Sequence, residues 1–78
     1  MPSEFVEREL SKMGGGKVST LEFVNQVVKQ MRESGLQFDE DEVRPRIVDD
    51  LWELHKRGII RFSDDLLQFE KLNQQANP

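Results

Sequence analysis

Apolar residues recur at helical spacing in three stretches of the chain, and the last of these is the clearest. Between residues 43 and 54 an apolar residue follows every three or four positions, at Val43, Ile47, Leu51 and Leu54. Gly58 comes next, and glycine is the residue that enters a left-handed C′ position without steric cost. We predict a helix over residues 41–57, capped by Asp41, with Pro45 in its first turns, where a missing N–H costs little.

Two shorter helices are predicted before it. The first covers residues 3–13, with Ser3 as its N-cap, and a glycine triplet at residues 14–16 ends it. The second covers residues 20–34, with Thr20 as its cap and Gly35 as its C′ residue. Its broad inner face is predicted to consist of Leu21, Val24, Val27, Val28 and Met31, with Phe23 to one side.

Short runs with strand-like composition complete the pattern. Residues 17–19 are predicted to form a very short strand, and residues 59–62 and 66–70 a hairpin around the turn Ser63-Asp64-Asp65. Within the hairpin, Ile60 and Phe62 share one face, and Leu67 shares a face with Phe69. The predicted core consists of Val6, Leu10, Leu21, Val24, Val28, Ile47, Leu51, Leu54, Ile60 and Phe69.

The order helix, short strand, helix, helix, strand, strand is similar to that of the winged helix-turn-helix superfamily. The residues that carry this resemblance are Leu51, Leu54, Gly58, Ile59 and Ile60, which match that superfamily's L-x-x-L-x-x-x-G-aliphatic-aliphatic run. We therefore predict a mainly α fold with a small β-hairpin, of the winged-helix type. It is expected to form one domain over residues 1–72, followed by a disordered polar tail at residues 73–78.

The resemblance implies one of two kinds of function. DNA-binding members insert their third helix into the major groove and touch the backbone with the hairpin tip, which here would use Arg44, Arg46 and Arg61. Other members, such as those in cullins and endosomal sorting complexes, bind proteins. Residues 39–57 hold seven acids and four bases, a net charge of −3, and the hairpin tip is also acidic. DNA is a polyanion, so these acidic residues would repel it. Protein binding is therefore the preferred prediction, and a DNA-binding regulator is the alternative.

Composition narrows the possibilities further. The 78 residues carry a net charge of −4 and include one histidine and no cysteine. His55 has no second histidine with which to share a metal, and adjacent carboxylates on a helix diverge by about 100°. We expect no enzyme, no cofactor and no metal site. No apolar run approaches the roughly 20 residues that cross a bilayer, so a soluble cytoplasmic protein without a membrane partner is expected.

Trp52 is the most conspicuous residue outside the predicted core. It stands about 140° around the third helix from Ile47, on the side of Val48 and beside Arg44. One hypothesis is that Trp52, Val48 and Arg44 form an apolar, arginine-edged patch that binds a protein partner or a second copy. The alternatives are that the hairpin or tail covers Trp52, or that it stands half exposed without a role. A structural subunit with no separable activity is a third functional class.

Overall fold

The computed structural model describes residues 2–72, which form three helices and a three-stranded antiparallel sheet. The elements in chain order are α1 (Pro2–Ser11), β1 (Lys17–Ser19), α2 (Thr20–Glu33), α3 (Glu40–Lys56), β2 (Ile60–Phe62) and β3 (Gln68–Lys71). This winged-helix-like arrangement confirms the predicted fold class. The predicted tail lies outside the described residues.

The N-terminal ends of the first two helices differ in detail from those predicted. Helix α1 starts at Pro2, and the Ser3 hydroxyl donates a hydrogen bond to the Asp50 carboxylate of α3 at 3.0 Å instead of capping its own helix. The N-cap of α2 is Ser19 and not Thr20, because the Ser19 hydroxyl accepts a hydrogen bond from the Glu22 backbone N–H at 3.1 Å. This cap shift frees the Thr20 side chain for another contact, described below.

Helix α3 also begins earlier than predicted. Its N-cap is Asp39 and not Asp41: the Asp39 carboxylate accepts from the Asp41 N–H, and its carbonyl accepts from the Val43 N–H, both at 3.0 Å. Pro45 is therefore the sixth helical residue and cannot donate the helical hydrogen bond to the carbonyl of Asp41. The helix tolerates this loss because Asp39 pairs donors of the first turn that would otherwise be unsatisfied.

Gly58 ends α3 as predicted and sets the direction of the wing, the name used here for the β2–β3 hairpin. Its φ is 78°, and the next residue, Ile59, donates its N–H to the Leu54 carbonyl at 2.9 Å. This is the hydrogen bond of a left-handed helix stop, which turns the chain sharply into β2.

The sheet has the order β1-β3-β2, with Phe69 of β3 opposite Val18 on one side and Phe62 on the other. Strand β3 begins at Gln68 and not at residue 66, so Leu67 lies in the wing tip and is exposed. The prediction that Leu67 shares the face of Phe69 is therefore wrong. The tip extends to residue 67 because Ser63 donates its N–H to the Gln68 carbonyl at 2.8 Å, which closes a longer turn.

The core lies between the three helices and one face of the sheet. It consists of Phe5, Val6, Leu10, Phe23, Val24, Val27, Val28, Met31, Val43, Ile47, Leu51, Leu54, Ile60, Phe62 and Phe69. Nine of the ten predicted core residues are buried; the prediction for Leu21 is wrong, since that side chain is 63% exposed. Phe23 takes the inner position because its ring packs edge-on against Phe69, with centroids 5.1 Å apart.

Candidate functional site

Three exposed leucines converge on one groove between α2, α3 and the wing tip. Leu21 is 63% exposed, Leu66 46% and Leu67 67%. They line an open groove of about 640 Å³ together with Pro45, Val48 and Arg44 of α3, while Val24, Ser19 and Thr20 complete the lining. We refer to this surface as the leucine groove. A contiguous apolar patch with polar edges is typical of a binding surface.

The wing tip holds Leu66 and Leu67 outward through a set of side-chain hydrogen bonds. The Asp65 carboxylate accepts from the Ser63 hydroxyl at 2.7 Å and from the Leu67 N–H at 3.0 Å. These bonds, the one from Ser63 first, lower the pKa of Asp65 below its ordinary value. Leu66 has a φ of 65°, a left-handed conformation that leucine rarely adopts. The tip therefore presents two adjacent leucines, the first of them in a backbone conformation that is unusual for leucine.

Thr20 fastens this tip to the start of α2. Its backbone N–H donates to the Leu67 carbonyl at 2.9 Å, and its hydroxyl donates to the Leu66 carbonyl at 3.0 Å. The N–H of Leu66 donates to the Ser63 carbonyl at 3.0 Å. With the bond from Leu67 to Asp65, all four backbone polar groups of Leu66 and Leu67 are paired within the molecule. The tip therefore offers a partner the side chains of these leucines and no unpaired backbone group of theirs.

Arg44 forms one edge of the groove, and its charge is already engaged. Its Nε donates to Glu40 at 3.2 Å, and its Nη2 donates to the Asn25 side chain at 2.6 Å. Glu40 also accepts from Arg32 of α2. The hydrogen bond from Arg44, and then that from Arg32, lower the pKa of Glu40 below its ordinary value. Arg44 thus connects α2 and α3 at the surface and contributes its aliphatic stem to the groove.

The structure separates the three residues of the predicted protein-binding patch. Val48 and Arg44 both line the leucine groove. Trp52 lies one turn further along α3 and packs against the wing, with its ring centroid 5.0 Å from that of Phe62 and 5.5 Å from that of His55. Trp52 remains 37% exposed, so the hairpin covers it only in part.

The sequence prediction missed the groove because Leu21 was assigned to the core, Leu67 to the strand face of Phe69, and Leu66 only to the start of that strand. One signal was available. Successive residues of a strand point to opposite faces, so adjacent leucines such as Leu66 and Leu67 cannot both face the core of a one-sided sheet. At least one of them had to be exposed or to lie in a turn.

The arginines of the DNA-binding alternative are not brought together. Arg44 edges the leucine groove. Arg46 lines a separate depression with Phe38, Asp39 and Glu42. Arg61 lies beside Lys17, Asp64 and Glu70 in a third depression on the wing. Each arginine therefore has acidic residues near it, and the three occupy different surfaces.

His55, near the end of α3, forms a hydrogen bond with strand β2. It is half buried, and its Nδ1 accepts a hydrogen bond from the Phe62 backbone N–H at 3.4 Å. Within residues 2–72, no three histidine, cysteine or carboxylate side chains come together as a potential metal site. The same residues contain no helix whose length and hydropathy would suit a transmembrane span.

The leucine groove is thus the candidate binding surface of the protein. Comparisons of the chain with protein-family models, with curated proteins and with solved structures found no match.

Proposed function

We propose that this protein is a non-catalytic interaction module that binds another polypeptide through the leucine groove. The observation that carries the proposal is the convergence of Leu21, Leu66 and Leu67, all largely exposed, on one side of α3. Isolated exposed leucines are common on protein surfaces, whereas a contiguous set framed by a rigid turn is not. A soluble intracellular location belongs to the same proposal.

The three leucines supply only part of the free energy that binding requires. Full burial of a leucine side chain gives about 1.5–3 kcal/mol, so the exposed fractions of the three leucines correspond to roughly 3–5 kcal/mol. Association also costs translational and rotational freedom. Val48, Pro45 and polar contacts at the rim must therefore add to the leucines, which favours a partner that covers the whole groove.

DNA binding remains the alternative function, but no feature of the fold adds to it. The first turn of α3 carries Glu40, Asp41 and Glu42, and in the usual recognition geometry these acids would enter the major groove of a polyanion. The arginines lie on three separate surfaces, as described above. Protein binding is therefore the function we propose.

Site-specific photo-crosslinking in native extract tests the proposal. A photo-crosslinking amino acid replaces Leu67 in one protein and Leu36 in a control, because Leu36 is 43% exposed but lines a different depression. We expect position 67 to capture a defined polypeptide that position 36 does not. The captured polypeptide is then purified and its affinity for groove variants is measured.

Two variants separate binding from folding. Leu67→Ser should weaken binding about tenfold or more, whereas Leu36→Ser should leave it unchanged. Leu66→Gly removes a groove side chain and relieves a left-handed conformation that costs leucine about 1 kcal/mol. Its thermal stability should therefore equal or exceed that of the parent while its binding falls. Equal capture at positions 67 and 36, or full affinity in both groove variants, would refute the proposed function.

A further inference from the structure

The rim of the leucine groove is acidic. Asp41 and Asp49 are exposed and lie one helical turn on either side of Pro45, which lines the groove. The basic residue in the lining is Arg44, and its guanidinium is already bonded to Glu40 and Asn25. The remaining potential at the rim is negative, so it attracts a cationic partner.

The backbone of the groove favours a helical partner over an extended one. An extended peptide brings unpaired N–H and C=O groups to the surface that it covers, and these need partners when they lose water. The four backbone groups of Leu66 and Leu67 are already paired within the tip and with Asp65 and Thr20. A helix satisfies its own backbone and presents only side chains, so it meets no such penalty.

Charge also disfavours a second copy of this chain as the occupant. Two copies joined groove to groove would bring two acidic rims together, and each chain already carries a net charge of −4. Repulsion between like charges opposes such a dimer.

We propose that the occupant of the leucine groove is an amphipathic helix of a different protein, with lysine or arginine beside its apolar stripe. Apolar residues at positions i, i+3 or i+4, and i+7 of that helix contact Leu21, Leu66 and Leu67. Its basic side chains lie over Asp41 and Asp49. This inference rests on the proposed function and specifies the chemistry of its partner.

Synthetic helical peptides test this chemistry directly. Two peptides carry the same leucine stripe, one with flanking lysines and one with flanking glutamates, and a scrambled lysine peptide controls for net charge alone. Fluorescence anisotropy with the full chain should give at least about tenfold tighter binding for the lysine peptide, and the difference should shrink as salt is raised. The scrambled peptide should bind weakly, and Leu21→Ser/Leu67→Ser should abolish binding of the lysine peptide.

Charge reversal locates the preference at the rim. Asp41→Lys/Asp49→Lys should remove or invert the preference for lysine. Glu7→Lys/Glu33→Lys makes the same change in net charge at exposed positions of α1 and the end of α2. This control variant should largely keep the preference for the lysine peptide.

The possible results separate this inference from the proposed function. If both peptides bind equally well through the leucines, the preference for a basic helix is wrong. The proposed function as an interaction module would still stand. If the wild-type chain binds neither peptide, the proposed helical occupant is wrong. The crosslinking experiment at position 67 tests the proposed function separately. Sedimentation should show a monomer. A dimer that Leu67→Ser dissociates would identify a second copy as the occupant and overturn the inference.

Discussion

Trp52 is the outermost member of an aromatic cluster that reaches from the core to the surface. Its ring centroid lies 5.0 Å from that of Phe62, and Phe62 lies 5.9 Å from the buried Phe69. His55 completes the cluster, with its ring 5.4 Å from Phe62. Trp52 therefore contacts the wing and helps to hold β2 against α3, although it also exposes part of its ring.

Trp52→Ala should lower the free energy of unfolding by about 1–2 kcal/mol, because it removes aromatic contacts and partly buried apolar surface. Denaturant titration followed by circular dichroism measures this change. Trp52→Phe keeps a ring against Phe62 and should lose less. The anchor hypothesis adds a second expectation: the folded alanine variant should bind a partner about 2 kcal/mol more weakly. An unfolding free energy unchanged in Trp52→Ala would contradict the wing-packing role.

At the scale of single elements, the wing tip should be sensitive to acid. Hydrogen bonds from Ser63 and Leu67 lower the pKa of Asp65 in the folded state. A carboxyl whose folded pKa lies below its unfolded value stabilises the fold above the unfolded pKa. That stabilisation decreases as pH falls through the folded pKa, so it is present at neutral pH and lost in acid below the ordinary aspartate value of about 3.9.

Thermal melts between neutral and strongly acidic pH check this prediction with Asp65→Asn. The variant should melt at a lower temperature than the parent at neutral pH, and the two should converge in acid, where the parent's Asp65 is protonated. Asp64→Asn changes the neighbouring exposed carboxyl and serves as the matched control, with a smaller expected effect. A difference between Asp65→Asn and the parent that stays constant at every pH would rule out the ionised Asp65 as its source.

The elements themselves were predictable from local signals, whereas some of their inner faces were not. Glycine stops and three- or four-residue apolar spacing located the helices to within about two residues. Periodicity shows that a helix is amphipathic, but the neighbouring sheet decides which residue stands at the centre of the buried face. In α2 the buried face is centred near Val27 and extends to Phe23, which packs on Phe69, whereas Leu21 in the first turn is exposed.

The groove was harder to predict than the elements because it depends on nonlocal hydrogen bonds. The cap at Ser19 leaves Thr20 free to bond Leu66 and Leu67, whose positions lie more than forty residues away. The left-handed φ of Leu66 has no signal in the sequence, since glycine or asparagine is usual there. Arg44 and Val48 line the groove from α3, but the leucines that they meet could be located only from the fold.

At the scale of the whole molecule, four of the eleven basic side chains within the described residues form ion pairs with acids. Arg44 and Arg32 bond Glu40, Lys12 pairs with Glu9 at 3.8 Å, and Lys56 pairs with Glu53 at 3.6 Å. Exposed pairs of this kind contribute little to stability, but they reduce the charge available to a polyanion. These four basic residues are thus less available to a polyanion than unpaired ones.

We therefore expect no specific DNA binding and only feeble non-specific binding at physiological salt. Affinity for DNA depends on the number of phosphates neutralised and decreases steeply with salt. Neutralising phosphates with Arg44 requires breaking its bonds to Glu40 and Asn25, and the acidic start of α3 would repel the backbone beside it. Titration of random and selected duplexes at several salt concentrations measures this. Sub-micromolar binding that weakens steeply with salt, and that Arg44→Ala or Arg46→Ala abolishes, would reverse the ranking of the two functions. Retention of that binding in Leu67→Ser would further place it outside the leucine groove.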